Sequence, residues 1–355
     1  MDFSQPLALI RRAAEEGIIP GAAVAIGRGA ATLHTEAIGS SAVHPKRGPV
    51  TIHTRYDMAS LTKTMATAMV ALRFAEQGRI SLADTLGEHL PAPEDKAGIT
   101  LKELLTHTSG LPAHTPLWTA CTMPEEAIGH ILGLGLHRAP GADVEYSCLG
   151  YILLGRVLEK VGGAPLDQPA RQEVFGPLGM ASTGYCPADD DVAATEEDGA
   201  GGWWRAVVHD ENARFLGGVS GNAGLFSTVG DCARFAAMLA CGGRGPGGVF
   251  LGRSAFGAAV ANHTPGMAES RGLGFSLYDG RTLSCGDLFS PGSFGHTGFT
   301  GTSLWVDKAT GRWVVLLTNA VHFGRGRQEF FCLRRRFHNA VMAAFDREED
   351  NDGTH

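Results

Sequence analysis

The chain has 355 residues, of which 44% are hydrophobic and 19% charged, and a formal net charge of -7. That length supports a large core and two lobes, while the acidic balance argues against a nucleic-acid or anionic-membrane partner. Its seven cysteines, odd in number and scattered, fit a reducing compartment better than a disulfide framework.

The first segment, Met1 to Pro6, has no basic region, and Leu7 to Gly17 is broken by Arg11, Arg12, Glu15 and Glu16. It reads as an amphipathic helix, not a signal peptide. No stretch reaches the 18 or more apolar residues that a membrane span needs. The expectation is a cytoplasmic protein without membrane insertion; a chain trimmed of an export signal would read the same and would work in the periplasm or outside the cell. Ala22 to Gly27 and Ala31 to Ile38 then predict a hairpin, and a second is expected from Thr302 to Asp307 and Arg312 to Thr318 across the turn Lys308-Ala309-Thr310-Gly311.

The run Tyr56-Asp57-Met58-Ala59-Ser60-Leu61-Thr62-Lys63 opens a stretch to Gln77 free of Pro and Gly, with Leu61, Met65, Ala68, Met69 and Leu72 at helical spacing and Gly78 as its stop. A serine and a lysine three residues apart share one helical face, so the hydroxyl and the amine come within hydrogen-bond reach. Ser60 falls at the helix start, where free backbone N–H groups favour an oxyanion. The plain alternative is an N-cap serine beside an exposed lysine, since the four-residue pattern also arises by accident.

Two further segments supply context. Glu145-Tyr146-Ser147-Cys148 leads into an amphipathic helix containing Leu149, Ile152, Leu153, Val157 and Lys160, with Tyr146 just ahead of it. Gly295-His296-Thr297-Gly298-Phe299 enters a strand, where Gly298 is expected to let a substrate lie flat against the edge. With these three motifs the chain resembles the serine beta-lactamase and penicillin-binding-protein superfamily, in its class C beta-lactamase-like branch of esterases, D-amino-acid peptidases and carboxypeptidases. Leu104-Leu105-Thr106-His107-Thr108-Ser109-Gly110 and Gly221-Asn222-Ala223-Gly224-Leu225 follow in the order the family keeps, so the resemblance runs from about Ile19 to about His338.

The resemblance implies an α+β, beta-lactamase/transpeptidase-like fold. An antiparallel sheet (about 1–60 and 245–346) is flanked by terminal helices, around Leu7 to Glu15 and Gln328 to Phe345, and carries an inserted helical lobe (about 61–244), with a disordered tail at 347–355. It implies Ser60 as the acylated nucleophile, Lys63 as its base, Tyr146 as the proton shuttle, and the backbone N–H groups of Ser60 and Phe299 as the oxyanion hole. Cys148, His296, Thr297 and Gly298 then line the substrate site. Lys63, to act as a base, is expected to be pushed below the free value near ~10.4 by burial and nearby positive charge.

Two departures bear on substrate. Cys148 stands where many members carry Asn and is a weaker hydrogen-bonding group, and His296 stands where many carry Lys. A histidine near its reference value of about 6.5 is mostly neutral at pH 7. Both lean toward esters or neutral amides. The expected function is a serine hydrolase using an acyl-enzyme on a small-molecule or short-peptide substrate, an esterase or D-amino-acid peptidase. The alternatives are a beta-lactamase or D-alanyl-D-alanine carboxypeptidase and, from another class, a non-hydrolytic penicillin-binding or sensing module.

Other residues read more plainly. Cys148 lacks a neighbouring His-Asn pattern and is expected as a pocket residue, not a nucleophile. His107 and Ser109 suit a turn packed under the active-site helix. His209-Asp210-Glu211 and His322 have no metal-ligand spacing, so no metal and no cofactor is expected. The glycines from Gly242 to Gly248 read as turns, and Arg334-Arg335-Arg336 as a solvated helix face.

Overall fold

The computed structural model describes residues 1–188, 191–281 and 284–352. Both expected hairpins form: β1 (Gly21–Arg28) with β2 (Ala31–Ala42), and β6 (Ser303–Val306) with β7 (Arg312–Thr318). Three further strands, β3 (Gly48–Pro49), β4 (Ser276–Leu277) and β5 (Phe294–Thr297), complete a sheet in the order β3-β2-β1-β7-β6-β5-β4. Every neighbouring pair is antiparallel. The two ends of the chain meet in its centre, with Ala22 opposite Thr318 and Arg28 opposite Arg312.

The period of two in side-chain direction explains why the central strands are apolar throughout. Ala22, Val24 and Ile26 of β1 and Val314 and Leu316 of β7 pack with Leu7 and Ile10 of α1 (Ser4–Glu15) and with Phe337, Val341 and Phe345 of the C-terminal helix. The residues between them, Ala23, Ala25, Val315 and Leu317, turn to the other face and join the large core shared with the helical part of the chain. The C-terminal helix runs Gln328–Asp352, past Phe345 and into the stretch expected as a tail; residues 353–355 lie outside the described residues.

Around the serine the helix departs from the expected α form. Leu61, Thr62 and Lys63 donate their N–H groups to the carbonyls of Met58, Ala59 and Ser60, at 3.0, 3.0 and 3.1 Å. These are i to i+3 bonds, a turn in which side chains three apart eclipse. A π-helical segment, Lys63–Ala68, follows and runs into α2 (Met69–Glu76). Three threonine hydroxyls anchor this winding: Thr62 accepts from Leu225 N, while Thr64 and Thr67 donate to the carbonyls of Gly274 and Gly221. Apolar spacing does not distinguish π from α winding over so short a run, because what fixes it here is bonding to distant backbone.

A small sheet pairs Tyr56–Asp57 with Leu225–Ser227 and the latter with Gly184–Tyr185. It pins the segment before Ser60 to the loop that carries Asn222. Two helices close the arrangement: α3 (Cys148–Gly162) and α4 (Val229–Ala240).

Candidate active site

The eclipsed turn sets Ser60 over Lys63. Lys63 is fully buried, at 0% exposure, and its Nζ donates to Ser60 Oγ at 3.1 Å, to Asn222 O at 2.9 Å and to Cys148 Sγ at 3.4 Å. Three donors meet three acceptors, which is what an ammonium removed from water requires. Ahead of the serine, Ala59 holds a left-handed φ of +46°, a conformation that costs a non-glycine residue energy. The buried Asp57 carboxylate stabilises it by accepting from Ala59 N at 2.8 Å and His209 N at 2.6 Å.

The expected lowering of the Lys63 pKa is overturned. Burial does push it down and is the largest influence, but Cys148, Tyr146 and Asp210 together outweigh burial and raise it above the ordinary lysine value. Where positive neighbours are expected, the titratable groups that raise the amine are a thiol, a phenol and a carboxylate.

Tyr146 is placed by the start of α3. Ser147 caps that helix, its Oγ accepting from Gly150 N at 3.1 Å and donating to Pro112 O at 2.6 Å. Beneath the tyrosine, His107 accepts from Ser147 N through Nδ1 at 3.1 Å, and its carbonyl takes Glu145 N at 2.8 Å. The His107 ring lies 4.3 Å from the Tyr146 ring, so this turn packs under Tyr146 as well as near the active-site helix. Burial first, then Arg271 and Lys63, holds His107 well below the usual histidine value, which keeps Nδ1 free to accept. Lys63 Nζ stands 5.1 Å from the centre of the Tyr146 ring. The Tyr146 hydroxyl is buried and close enough to Lys63 to help hold the amine charged.

The end of β5 forms the opposite wall. His296 is buried, donates through Nδ1 to Thr297 O at 2.8 Å, and is pushed down to about 3 by burial, then by Arg271 and Lys63. It is neutral at pH 7, as its residue type suggested, and carries no charge for a substrate carboxylate. Thr297, half-buried, ends the strand. Gly298 has a steric reason within the fold. A Cβ there would stand 2.5 Å from Met58 O and 2.1 Å from Thr302 Oγ1, so glycine permits the strand end to touch the backbone ahead of Ser60. Gly298 N to Thr302 O at 2.7 Å and Thr300 Oγ1 to Asp57 O at 2.7 Å lock that contact. The N–H groups of Ser60 and Phe299 have no acceptor among the described residues. The Phe299 ring is 57% exposed and stacks on His209 at 5.7 Å.

Three residues receive no site role from the sequence. Asn222 acts through its main-chain carbonyl, which side-chain identity does not disclose. Asp210 bonds the Asn222 amide at 3.2 Å and biases Lys63 from a loop far away in sequence. Arg271, 6% exposed, sits 5.3 Å from the Tyr146 ring centre with no motif around it. Among the described residues no group of three or more His, Cys, Asp or Glu side chains is arranged to hold a metal, and no helix is long and apolar enough to cross a membrane.

Comparison with known proteins places this geometry. The beta-lactamase family model matches residues 8–330. A putative D-alanyl-D-alanine carboxypeptidase of Escherichia coli K12 is 32% identical over 311 residues, spanning 77% of this chain and 70% of that protein. Its counterpart in Salmonella enteritidis PT4 is 30% identical over 316 residues, spanning 79% and 72%. Among solved structures, EstCE1, described as a hydrolase with promiscuous acyltransferase activity, superposes with a TM-score of 0.77 at 24% identity over 95% of this chain and 97% of that one. The octameric penicillin-binding protein homologue from Pyrococcus abyssi gives 0.73 at 23% identity over 90% and 74%. The chain thus belongs to the beta-lactamase family, in the serine hydrolase superfamily that also contains the penicillin-binding proteins.

Proposed function

We propose that the protein hydrolyses an ester or amide through an acyl-enzyme on Ser60, as an esterase or D-amino-acid peptidase. The observation that carries the reading is the 3.1 Å contact between Lys63 Nζ and Ser60 Oγ, made by a fully buried amine. In this reading Ser60 Oγ attacks the carbonyl carbon, and its proton leaves through Lys63 and Tyr146 acting as one coupled unit. The tetrahedral oxyanion sits on the N–H groups of Ser60 and Phe299. In related acyl-transfer sites, loss of one such donor costs about 2.7 to 4 kcal/mol. Tyr146 returns the proton to the leaving group, and water then releases the acyl chain. Because the neighbours of Lys63 favour its ammonium form, the base form grows as pH rises, and turnover is favoured on the alkaline side.

The ester or neutral-amide preference rests on Cys148 and His296. Neither offers a fixed charge or an amide to the substrate. A second reading, a D-alanyl-D-alanine carboxypeptidase, is favoured by the names of the curated relatives. Wild type incubated with a fluorophosphonate should gain one adduct on Ser60, and Ser60→Ala none. Turnover of p-nitrophenyl esters without a chromogenic cephalosporin supports the first reading, and release of D-alanine from D-alanyl dipeptides the second. An unlabelled Ser60 in active wild type would overturn both.

A further inference from the structure

We propose that Arg271 is a positioning residue for the proton relay: a fixed cation, buried beside Tyr146, that stabilises the deprotonated form of the Lys63 and Tyr146 pair, the form that accepts the Ser60 proton. This inference rests on the acyl-enzyme reading and extends it to a residue outside its three motifs.

The placement is specific. Arg271 is 6% exposed and presents its guanidinium 5.3 Å from the Tyr146 ring centre, while Lys63 Nζ lies 5.1 Å from the same centre. The phenol therefore has two cationic side chains close to its ring. The remaining groups facing it are His107 at 4.3 Å and His296 at 5.9 Å between ring centres. Tyr151 adds a neutral phenol bonded to Leu105 O, while Cys148 and Asp210 act on the relay through Lys63. Both imidazoles are held neutral, so among the described residues Arg271 is the permanent charge facing Tyr146 that takes no part in moving the proton.

A simple loop tie explains less. Arg271 Nη1 does donate to Ser276 Oγ at 2.8 Å, its backbone N–H to Thr264 Oγ1 at 2.9 Å, and Nη2 pairs with Glu269. Those bonds hold the loop over residues 264–276, yet a neutral side chain could hold it without taking a charge out of water. The guanidinium Nε has no partner among the described residues, and Glu269, its one carboxylate, is 46% exposed. The buried charge is thus only partly compensated on the loop side, and its field falls on Tyr146. Where other members of the family place a lysine in the strand motif, this chain has the neutral His296. Arg271 supplies a permanent positive charge from beside the tyrosine instead.

The test is the pH dependence of kcat/KM on a p-nitrophenyl ester for Arg271→Met, Arg271→Lys and Glu269→Gln, with thermal melting to confirm folding. Arg271→Met should move its acid limb up by about one pH unit, because removing a cation raises the proton affinity of the relay, and so lose about 10-fold in kcat below the limb with KM changed less than about 3-fold. Arg271→Lys should recover activity to within about 3-fold of wild type. Glu269→Gln, which strips the screening carboxylate, should move the limb the opposite way. Opposite displacements support the proposal, because loosening the loop would move both variants alike. An unmoved limb in Arg271→Met, or a common direction in both, overturns it. Should Arg271→Met fail to fold, Glu269→Gln alone decides: a downward limb supports and an unchanged one overturns. Labelling of Ser60 in the same variants separates this outcome from failure of the acyl-enzyme reading, since an unmoved limb with Ser60 still labelled removes only the role of Arg271.

Discussion

A thiol at position 148 is the clearest single-residue statement about substrate. Cys148 Sγ accepts from Lys63 Nζ at 3.4 Å, so the side chain reaches the site and takes part in holding the amine. It has little to offer a substrate carbonyl, because S–H is a weak donor. An asparagine there would accept from Lys63 with its oxygen and present two N–H donors with its nitrogen. Cys148→Asn should therefore leave ester turnover within about 3-fold and raise kcat/KM on a matched amide by about 10-fold, the yield of one added hydrogen bond of about 1 to 1.5 kcal/mol. Paired ester and amide substrates with the same acyl group measure it, and equal changes on both would remove Cys148 as the selecting group. At this scale legibility follows chemistry. The pairing of Ser60 with Lys63 is legible from their spacing, whereas Tyr146 is picked out by the family resemblance. The electrostatics of Lys63 are not legible there because the balance of burial against Cys148, Tyr146 and Asp210 is set only in the fold.

Between elements, two glycines decide how close α3 comes to the loop that carries Asn222. A Cβ on Gly155 would stand 3.0 Å from Gly221 N and Cα, and one on Gly221 would stand 2.1 Å from Tyr151 O. This approach brings the Asn222 carbonyl to Lys63 at 2.9 Å, with the Gly221 carbonyl held by Thr67. Gly155→Ala sets two effects against each other. Overpacking costs about 1 to 3 kcal/mol, while replacing a mid-helix glycine by alanine returns about 0.8 to 1.0 kcal/mol. The net loss of stability should stay below about 2 kcal/mol. Activity should suffer more, falling by about 10-fold or beyond, because the shift needed is a few tenths of an ångström at a relay that tolerates little displacement. Melting and steady-state kinetics on the same variant check this, and a stable variant with unchanged kcat would contradict it. The helix itself was legible from apolar spacing. The π winding at Lys63–Ala68 was not, since it depends on threonine bonds to Leu225, Gly274 and Gly221.

For the molecule as a whole, closing one sheet from both chain ends explains why so much of the architecture was readable. Strands β1 and β7 are apolar on both faces, the terminal helices show one apolar stripe each, and the joined hairpins leave few other pairings. Burial on both sides of that sheet has a second consequence, visible only in three dimensions. His107, His296 and His338 are all buried and held down, His296 and His338 to about 3, with burial the first cause in each. His338 reaches the sheet from the C-terminal helix, donating through Nδ1 to Cys285 O at 3.1 Å and accepting from Ser303 Oγ at 3.3 Å; Arg334 adds to the effect of burial. A histidine whose folded value lies below its unfolded one, near 6.5, stabilises fully above that pH. It loses stability as pH falls from about 6.5 toward 3, because the unfolded chain binds the proton first. His296 and His338 should each cost about 2 kcal/mol at pH 5 relative to neutral pH, before the carboxylates begin to titrate at about 4. His338→Gln keeps a donor and an acceptor at that position without the titration. Urea unfolding at pH 8 and pH 5 should show wild type losing stability between the two and the variant losing about 2 kcal/mol less. A variant whose loss parallels wild type would show that proton uptake elsewhere in the unfolded chain governs the acid limit.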